Sequence, residues 1–168
     1  MIAYRNAVPA DAPAIDALFR ESFNETFAHL YDPADLAAFF SAFTQAAWRK
    51  EIGDPDFAFR LAEADGALAG YAKLAPVSLP VDPDGAAVEL RQLYVAGPWH
   101  GAGIARALMD WVLDQARDRG ARTLYLSVFT ANHRARAFYA RYGFEAIGPY
   151  AFMVGAQADE DIIMRARL

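Results

Sequence analysis

The sequence contains no cysteine, and this absence excludes several kinds of chemistry at once. Disulfide bonds, thiolate metal sites and a cysteine nucleophile all require a thiol. Only three histidines are present, His29, His100 and His133, and their scatter along the chain is a poor basis for a metal site. We therefore expect no metal cofactor.

Excess positive charge and long apolar runs are also missing. Sixteen Lys and Arg residues against 21 Asp and Glu give a net charge of −5, so the broad basic surface of nucleic-acid-binding or membrane-binding proteins is absent. No apolar run reaches the roughly 18 residues that span a bilayer, and residues 1–7 lack the pattern of a signal peptide. The sequence therefore predicts a cytoplasmic protein whose partners are neither nucleic acid nor membrane.

What the chain does contain is enough large apolar material for one folded core. Its 168 residues are 55% hydrophobic and 14% aromatic. A chain of this length is too short for two cores of typical size, and no repeat, low-complexity tract or linker divides it. We therefore predict a single domain over residues 1–168.

Apolar periodicity and turn residues predict alternating helices and strands. Helices are predicted over residues 11–23, 33–43, around residue 48, and over 103–120 and 132–143. Strands are predicted over residues 2–6, 57–64, 67–74, 88–95, 124–128, 144–154 and 161–167, with Asp65-Gly66 as a hairpin turn. The strand, helix, strand unit at residues 88–128 indicates a mixed α/β (α+β) sheet with helices packed on its faces.

The most informative segment joins the strand at residues 88–95 to the helix that starts near Gly103. Its loop carries three glycines, and small residues there let backbone N–H groups approach a phosphate at the helix start. A tight turn that needs glycine only for its dihedral angles explains these residues equally well. A P-loop is excluded because Lys50 and Lys73 lie elsewhere, and the dinucleotide fingerprint fails because Arg106 stands where a small residue belongs.

Two linked motifs carry a family resemblance. The strand ending Leu93-Tyr-Val95, the loop from His100 to Ala105 and the later pattern Asn132-x-x-Ala135-x-x-Phe138-Tyr139-x-x-Tyr142-Gly143-Phe144 resemble the GCN5-related N-acetyltransferases (GNAT) in order and separation. In the family's cofactor loop, Gln/Arg-x-x-Gly-x-Gly/Ala, Gly103 and Ala105 match, whereas His100 replaces the usual Gln or Arg. The resemblance implies a mostly antiparallel central sheet of about seven strands, with a splayed parallel pair and helices on both faces.

The same resemblance implies acetyl-CoA as cosubstrate. Main-chain groups of the strand end would hold the pantetheine arm, and a backbone N–H would polarise the acetyl carbonyl. The implied cofactor-binding residues are Leu93, Tyr94, Val95, His100, Gly101, Ala102, Gly103, Ile104, Ala105, Asn132, Ala135 and Tyr139.

The reaction implied by the resemblance is direct attack of an amine, which needs an acid and a base. Tyr139 matches the family tyrosine that protonates the departing sulfur, although a core tyrosine beside Phe138 is the alternative. Glu89 lies eleven residues before His100, the spacing of the catalytic Glu in histone-acetyltransferase-like members, and would act directly or through water. A solvated strand residue paired with Arg91 is the competing interpretation of Glu89.

The acceptor stays open at this point. Shorter matches, such as residues 23–27 and 152–155, resemble the PaiA-type spermidine/spermine acetyltransferases, which implies a polyamine or another small amine. We interpret Asp159, Glu160 and Asp161 as a solvated turn, although they are also suited to face a polycation. The alternatives are a protein N-terminus or lysine as acceptor, and a non-catalytic acyl-CoA-binding module. The family also leaves a homodimer open, with residues 39–48 as either interface or core.

Overall fold

Seven strands form one continuous sheet in the computed structural model, which describes all 168 residues. The strands are β1 (Ile2–Asn6), β2 (Ala58–Ala64), β3 (Ala67–Ala75), β4 (Ala87–Val95), β5 (Thr123–Phe129), β6 (Glu145–Val154) and β7 (Gln157–Arg167). They lie in the order β1-β2-β3-β4-β5-β7-β6, and only the β4–β5 pair is parallel. The predicted mixed, mostly antiparallel sheet is therefore confirmed.

Five helices cover the sheet: α1 (Ala12–Phe27), α2 (Pro33–Phe40), α3 (Gln45–Gly53), α4 (Ile104–Asp118) and α5 (His133–Arg141). Local sequence explains where they begin. The Thr44 side chain accepts a hydrogen bond from the Ala47 N–H at the start of α3, and Pro33 occupies the first turn of α2. The amphipathic pattern of α4 buries Ile104, Leu108 and Val112 on one stripe.

The two faces of the sheet carry different cores. On one face, α4 and α5 cover a mainly aliphatic cluster that includes Leu108, Met109 and Val112. On the other face, α1, α2 and α3 cover a cluster rich in aromatic rings, including Phe19, Phe23, Phe40, Trp48 and Tyr71. Residues 39–48, which the sequence left open between core and interface, contribute Phe40 and Trp48 as buried members of this aromatic core.

The last hairpin differs from the prediction. The turn between β6 and β7 is only Gly155-Ala156, and Asp159, Glu160 and Asp161 lie inside β7, paired with residues 150–152 of β6. Asp159 and Asp161 are each only 8% exposed, so the interpretation of this run as a solvated turn is wrong. Alternation along a strand turns both aspartates to one face and Glu160 to the other.

Candidate active site

A cleft opens in the middle of the sheet because the parallel strands stay paired for only three residues. The pairs are Ala87–Thr123, Val88–Leu124 and Glu89–Tyr125, and beyond them β4 and β5 diverge. A cavity of about 700 Å³ lies at this opening, lined by residues 90–95 of β4, 126–129 of β5 and side chains of α1, α5 and β7. The splayed parallel pair that the family resemblance implied is therefore confirmed.

The divergence has a local cause in β4. The register between β3 and β4 shifts because Lys73 pairs with Gln92 whereas Leu74 pairs with Leu90, which leaves Arg91 as an extra residue. Such a β-bulge bends its strand and increases the local twist. Arg91 follows the last β4–β5 pair by two residues, so the bulge bends β4 where the cleft begins.

The glycine-containing loop presents unused hydrogen-bond donors beside this opening. Gly101 and Gly103 adopt φ of +82° and +83°, a region that strongly favours glycine. The N–H groups at five positions in the loop and the first turn of α4 donate to no backbone acceptor in the chain: Gly101, Gly103, Ile104, Ala105 and Arg106. Free N–H groups at the start of a 15-residue helix are a suitable site for a phosphate.

Close packing fixes the position of this loop against the sheet. A Cβ at Gly70 of β3 would lie 2.9 Å from the Tyr94 carbonyl oxygen and 3.0 Å from Cγ2 of Ile104, so glycine is needed for α4 to approach β3 and β4. The His100 ring lies 2.7 Å, through Nε2, from the carbonyl oxygen of Val95. His100 therefore ties the loop to the end of β4 and lines the cavity from there.

Tyr139 lies on α5 and reaches the cavity between the diverging strands. The helix begins at Asn132, whose side-chain oxygen accepts a hydrogen bond from the Ala135 N–H at 3.2 Å, and both of these residues also line the cavity. The Tyr139 ring packs against Phe138 and Phe144. Burial raises the pKa of its hydroxyl to about 12, so the phenol carries its proton at neutral pH.

Glu89 lies outside this cavity. It belongs to the last β4–β5 pair, at the closed end of the cleft, and is 5% exposed. Its carboxylate accepts hydrogen bonds from the N–H of Ser78 at 2.9 Å and from Nε of Arg91 at 3.1 Å. The structure therefore does not bring Glu89 together with Tyr139, and it includes the Arg91 pairing that the sequence offered as the competing interpretation.

The cavity contains a different pair of carboxylates, Asp159 and Asp161. Asp159 accepts a hydrogen bond from the Tyr31 hydroxyl, and Nε2 of Gln157 lies 3.3 Å from its other oxygen. Burial, and then the negative charge of Asp159, raise the pKa of Asp161 to about 7, while a hydrogen bond with Ser127 acts in the opposite direction. Asp161 is therefore a carboxyl group that ionises near neutral pH.

Comparison with known families identifies the protein family that has this cleft. The sequence model of the Acetyltransferase (GNAT) family matches residues 13–144, which include the splayed strands, the glycine loop and α5. The chain belongs to the GNAT family. The resemblance drawn from its motifs is thus confirmed, and the GNAT fold accounts for the mixed sheet with one parallel pair.

Similar proteins cover almost the whole of this GNAT chain. An uncharacterized N-acetyltransferase of Mycobacterium tuberculosis is 35% identical over 155 residues, covering 92% of this chain and 96% of that protein. The crystal structure of PaiA N-acetyltransferase from Thermoplasma acidophilum in complex with coenzyme A has a TM-score of 0.80 and 21% identity, covering 100% and 99% of the two chains. The ribosomal-protein-alanine N-acetyltransferase from Brucella melitensis has a TM-score of 0.76 and 25% identity, covering 99% of each. The names of these relatives identify the GNAT chain as an acyltransferase.

The GNAT cleft has an uneven charge distribution. Its buried lysine, Lys73, forms an ion pair with Glu51, and Arg91 forms one with Glu89, so these cations are already compensated. Burial lowers the pKa of Lys73, and Glu51 partly offsets this effect. Asp159 and Asp161 have no cationic partner in the chain, which leaves the cleft negative at the β7 side.

Two absences describe the rest of this GNAT molecule. None of its helices combines the length and the apolar character needed to cross a bilayer. No three His, Cys, Asp or Glu side chains gather closely enough to bind a metal ion.

The sequence analysis named Asp159 and Asp161 as a solvated turn or a polycation contact, but missed that they lie buried side by side in the cavity. A signal was present in the last strand, because Asp159, Asp161 and Ile163 alternate with period two, as residues on one face of a strand do. The bulge at Arg91 gave no signal, since no glycine or proline marks it.

Proposed function

We propose that this GNAT protein transfers the acetyl group of acetyl-CoA directly to a primary amine of a small cationic molecule, with polyamines as the first candidates. The observation that carries the proposal is the splayed cleft, which has unused N–H donors and a protonated Tyr139 on one side and uncompensated carboxylates on the other. Each side suits one of the two substrates.

The fit to acetyl-CoA rests on the loop and the strand edge. The free N–H groups at Gly101, Gly103, Ile104 and the following residues suit a pyrophosphate, which needs several donors and no metal. Residues 93–95 line the cavity along the open edge of β4, where main-chain groups are suited to the pantetheine arm. Acetyl-CoA supplies an activated acyl thioester. His100, already held by the Val95 carbonyl, supports the loop rather than replacing the family's Gln or Arg as a long-range phosphate ligand.

Tyr139 supplies the acid that this chemistry needs. A thiolate leaving group must gain a proton, and Tyr139 holds a protonated hydroxyl in the cleft, although burial raises its pKa to about 12 and makes it a weaker acid than a free phenol. Binding of acyl-CoA alone does not need a proton donor beside the sulfur. Tyr139 therefore favours catalysis over a cofactor-sensing module.

The acceptor end favours a cation. Asp159 and Asp161 lack a positive partner, and the same cavity is lined by rings of Phe23, Phe27 and Phe39. Carboxylates attract an ammonium group, and aromatic faces stabilise it further by cation–π contact. The motif resemblance to the PaiA-type spermidine/spermine acetyltransferases points the same way. The likeness to a ribosomal-protein-alanine N-acetyltransferase supports a protein N-terminus as the second candidate.

The test is release of coenzyme A, measured with a chromogenic thiol reagent. Because the protein has no cysteine, it adds no thiol signal of its own. The panel contains spermidine, spermine, aminoglycosides, amino acids and short peptides with free N-termini. Release with spermidine or spermine well above the hydrolysis blank is the expected result.

Two outcomes contradict the proposal. Release only with peptides would transfer the assignment to protein N-terminal acetylation. Silence across the panel, with acetyl-CoA binding shown by calorimetry, would make the protein a cofactor-binding module. A Tyr139→Phe variant that binds acetyl-CoA with unchanged affinity but turns over slowly separates binding from catalysis.

A further inference from the structure

The cleft passes through the sheet, and this places two ionisable residues on opposite sides of it. Along β7, Ile162 and Met164 pack into the aliphatic core together with Tyr139. Ile163 faces the other way and packs with Leu79 and Tyr125. Asp161 lies two residues before Ile163 and therefore shares that second face.

Asp161 is held in a buried environment without a cation. It pairs with Phe129 of β5 and Tyr150 of β6, and it is 8% exposed. The titratable groups that surround it from the neighbouring elements are Asp159 of β7, Tyr31 before α2, Tyr94 of β4 and Tyr150 of β6. All of these are carboxyl or phenol groups, so none of them compensates a negative charge on Asp161.

The two aspartates differ in how far their carboxylate oxygens are already engaged by hydrogen bonds. Asp159 is engaged by the Tyr31 hydroxyl and by Gln157. The Ser127 hydroxyl on the adjacent strand favours the charged form of Asp161 and so lowers its pKa. Tyr94 also lines the cavity, and burial, followed by the charges of Tyr139 and Asp161, raises the pKa of its hydroxyl. Asp161 is thus a carboxylate with free acceptor capacity, opposite Phe129 at the open end of the cleft.

We propose that Asp161 is the general base of this acetyltransferase, receiving the proton of the acceptor ammonium group on the face of the sheet opposite Tyr139. The inference rests on the proposed function. A base whose pKa lies near the working pH is the most effective one, and burial together with Asp159 gives Asp161 that property. Glu89 is less suitable, since Ser78 and Arg91 occupy its oxygens outside the cavity.

The proton balance of the transfer is complete with these two groups. The bound ammonium gives one proton to the Asp161 carboxylate and becomes a free amine. The amine nitrogen then forms the amide C–N bond as the C–S bond breaks, and the nitrogen loses a second proton. The thiolate receives a proton from Tyr139, the second nitrogen proton restores the Tyr139 hydroxyl through solvent, and Asp161 releases its own proton to water when the product leaves.

The experiment compares Asp161→Asn with the wild-type protein over pH 6 to 10, using spermidine and acetyl-CoA. For the wild type, kcat/KM is expected to rise to a plateau as Asp161 ionises near pH 7. In the variant only spermidine that is already deprotonated can react. Because an alkyl ammonium has a pKa of about 10.4, roughly one molecule in 10³ is free at pH 7.4. The variant should therefore lose up to ~10³-fold at pH 7.4 and recover about tenfold for each pH unit above that.

Glu160→Gln is the matched control, because Glu160 is the exposed neighbour in β7 and its loss changes the net charge equally. It should keep the wild-type profile. A second readout that needs no substrate is the carboxyl ¹³C titration of the aspartates by NMR, in which one signal that titrates near pH 7 should disappear in Asp161→Asn.

Three results would overturn the assignment of Asp161. The first is a pH dependence of kcat/KM that is unchanged in Asp161→Asn. The second is loss of the wild-type pH dependence in Glu89→Gln instead. The third is the absence of any carboxyl ¹³C signal that titrates near neutral pH. Failure of the proposed function itself is distinguishable, because the wild type would then release no coenzyme A with any amine of the panel.

Discussion

The Asp161→Asn variant should be more stable than the wild type at alkaline pH, although it is expected to be a poor catalyst. The carboxyl has a reference pKa of 3.8 and is raised to about 7 in the folded protein, so between these values the folded state binds more protons than the unfolded chain. Stability contributed by this group therefore falls as pH rises from about 4 and is fully lost above about 7. A difference of about three pKa units corresponds to about 4 kcal/mol, which we take as an upper limit.

Replacing the carboxyl group by an amide removes the loss of stability that comes from ionising Asp161 in the folded protein. One kcal/mol shifts the Tm of a chain of this size by about 2 to 4 °C, so the variant is expected to gain up to roughly 8 to 16 °C at pH 8 and little at pH 4. The assay is thermal unfolding followed by circular dichroism from pH 4 to pH 8, with Glu160→Gln as the control that should track the wild type. A difference in Tm that stays constant with pH, or that shrinks as pH rises, would refute the reasoning.

Three further predictions address the cofactor side of the cleft. Tyr139→Phe should lower kcat by about 10²-fold or more while calorimetry shows the same Kd for acetyl-CoA, and full turnover would remove Tyr139 as the acid. Gly103→Ala and Gly120→Ala should each destabilise the fold by about 1 to 2 kcal/mol in urea, because both glycines have positive φ, but only the first should weaken acetyl-CoA binding. Gly70→Ala should cost about 1 to 3 kcal/mol, because its Cβ meets the Tyr94 carbonyl at 2.9 Å; a variant as stable as the wild type would show that α4 is not tightly seated.

Local patterns were sufficient to predict most of the fold. The stripe of Ile104, Leu108 and Val112 specifies α4 by itself, and the Asn132 cap specifies where α5 begins. The glycine loop indicated a helix start that suits phosphate, and the free N–H groups agree with it. These features depend on residues a few positions apart, which is the range over which a sequence pattern is informative.

The acceptor side was harder to predict because its features depend on contacts between distant segments. The sequence offered Arg91 as a partner of Glu89, but its second partner, Ser78, comes from a loop eleven residues earlier. The acidic run at residues 159–161 resembled a turn because charged residues usually avoid buried strands. Only the pairing with β6, together with the engagement of Asp159 by Tyr31, shows why two carboxylates are accommodated there.

The different cores on the two faces of the sheet have a consequence for how such an enzyme diversifies. The helix that carries the glycine loop is anchored in the aliphatic core, whereas the segments around the acceptor are anchored in the aromatic core. A substitution among the cavity-lining rings of α1 and α2 alters the shape of the acceptor wall without disturbing the packing beneath the loop. Mutational libraries restricted to the cavity-lining rings Phe23, Phe27 and Phe39 should therefore change which amines are accepted while conserving the affinity for the acyl donor.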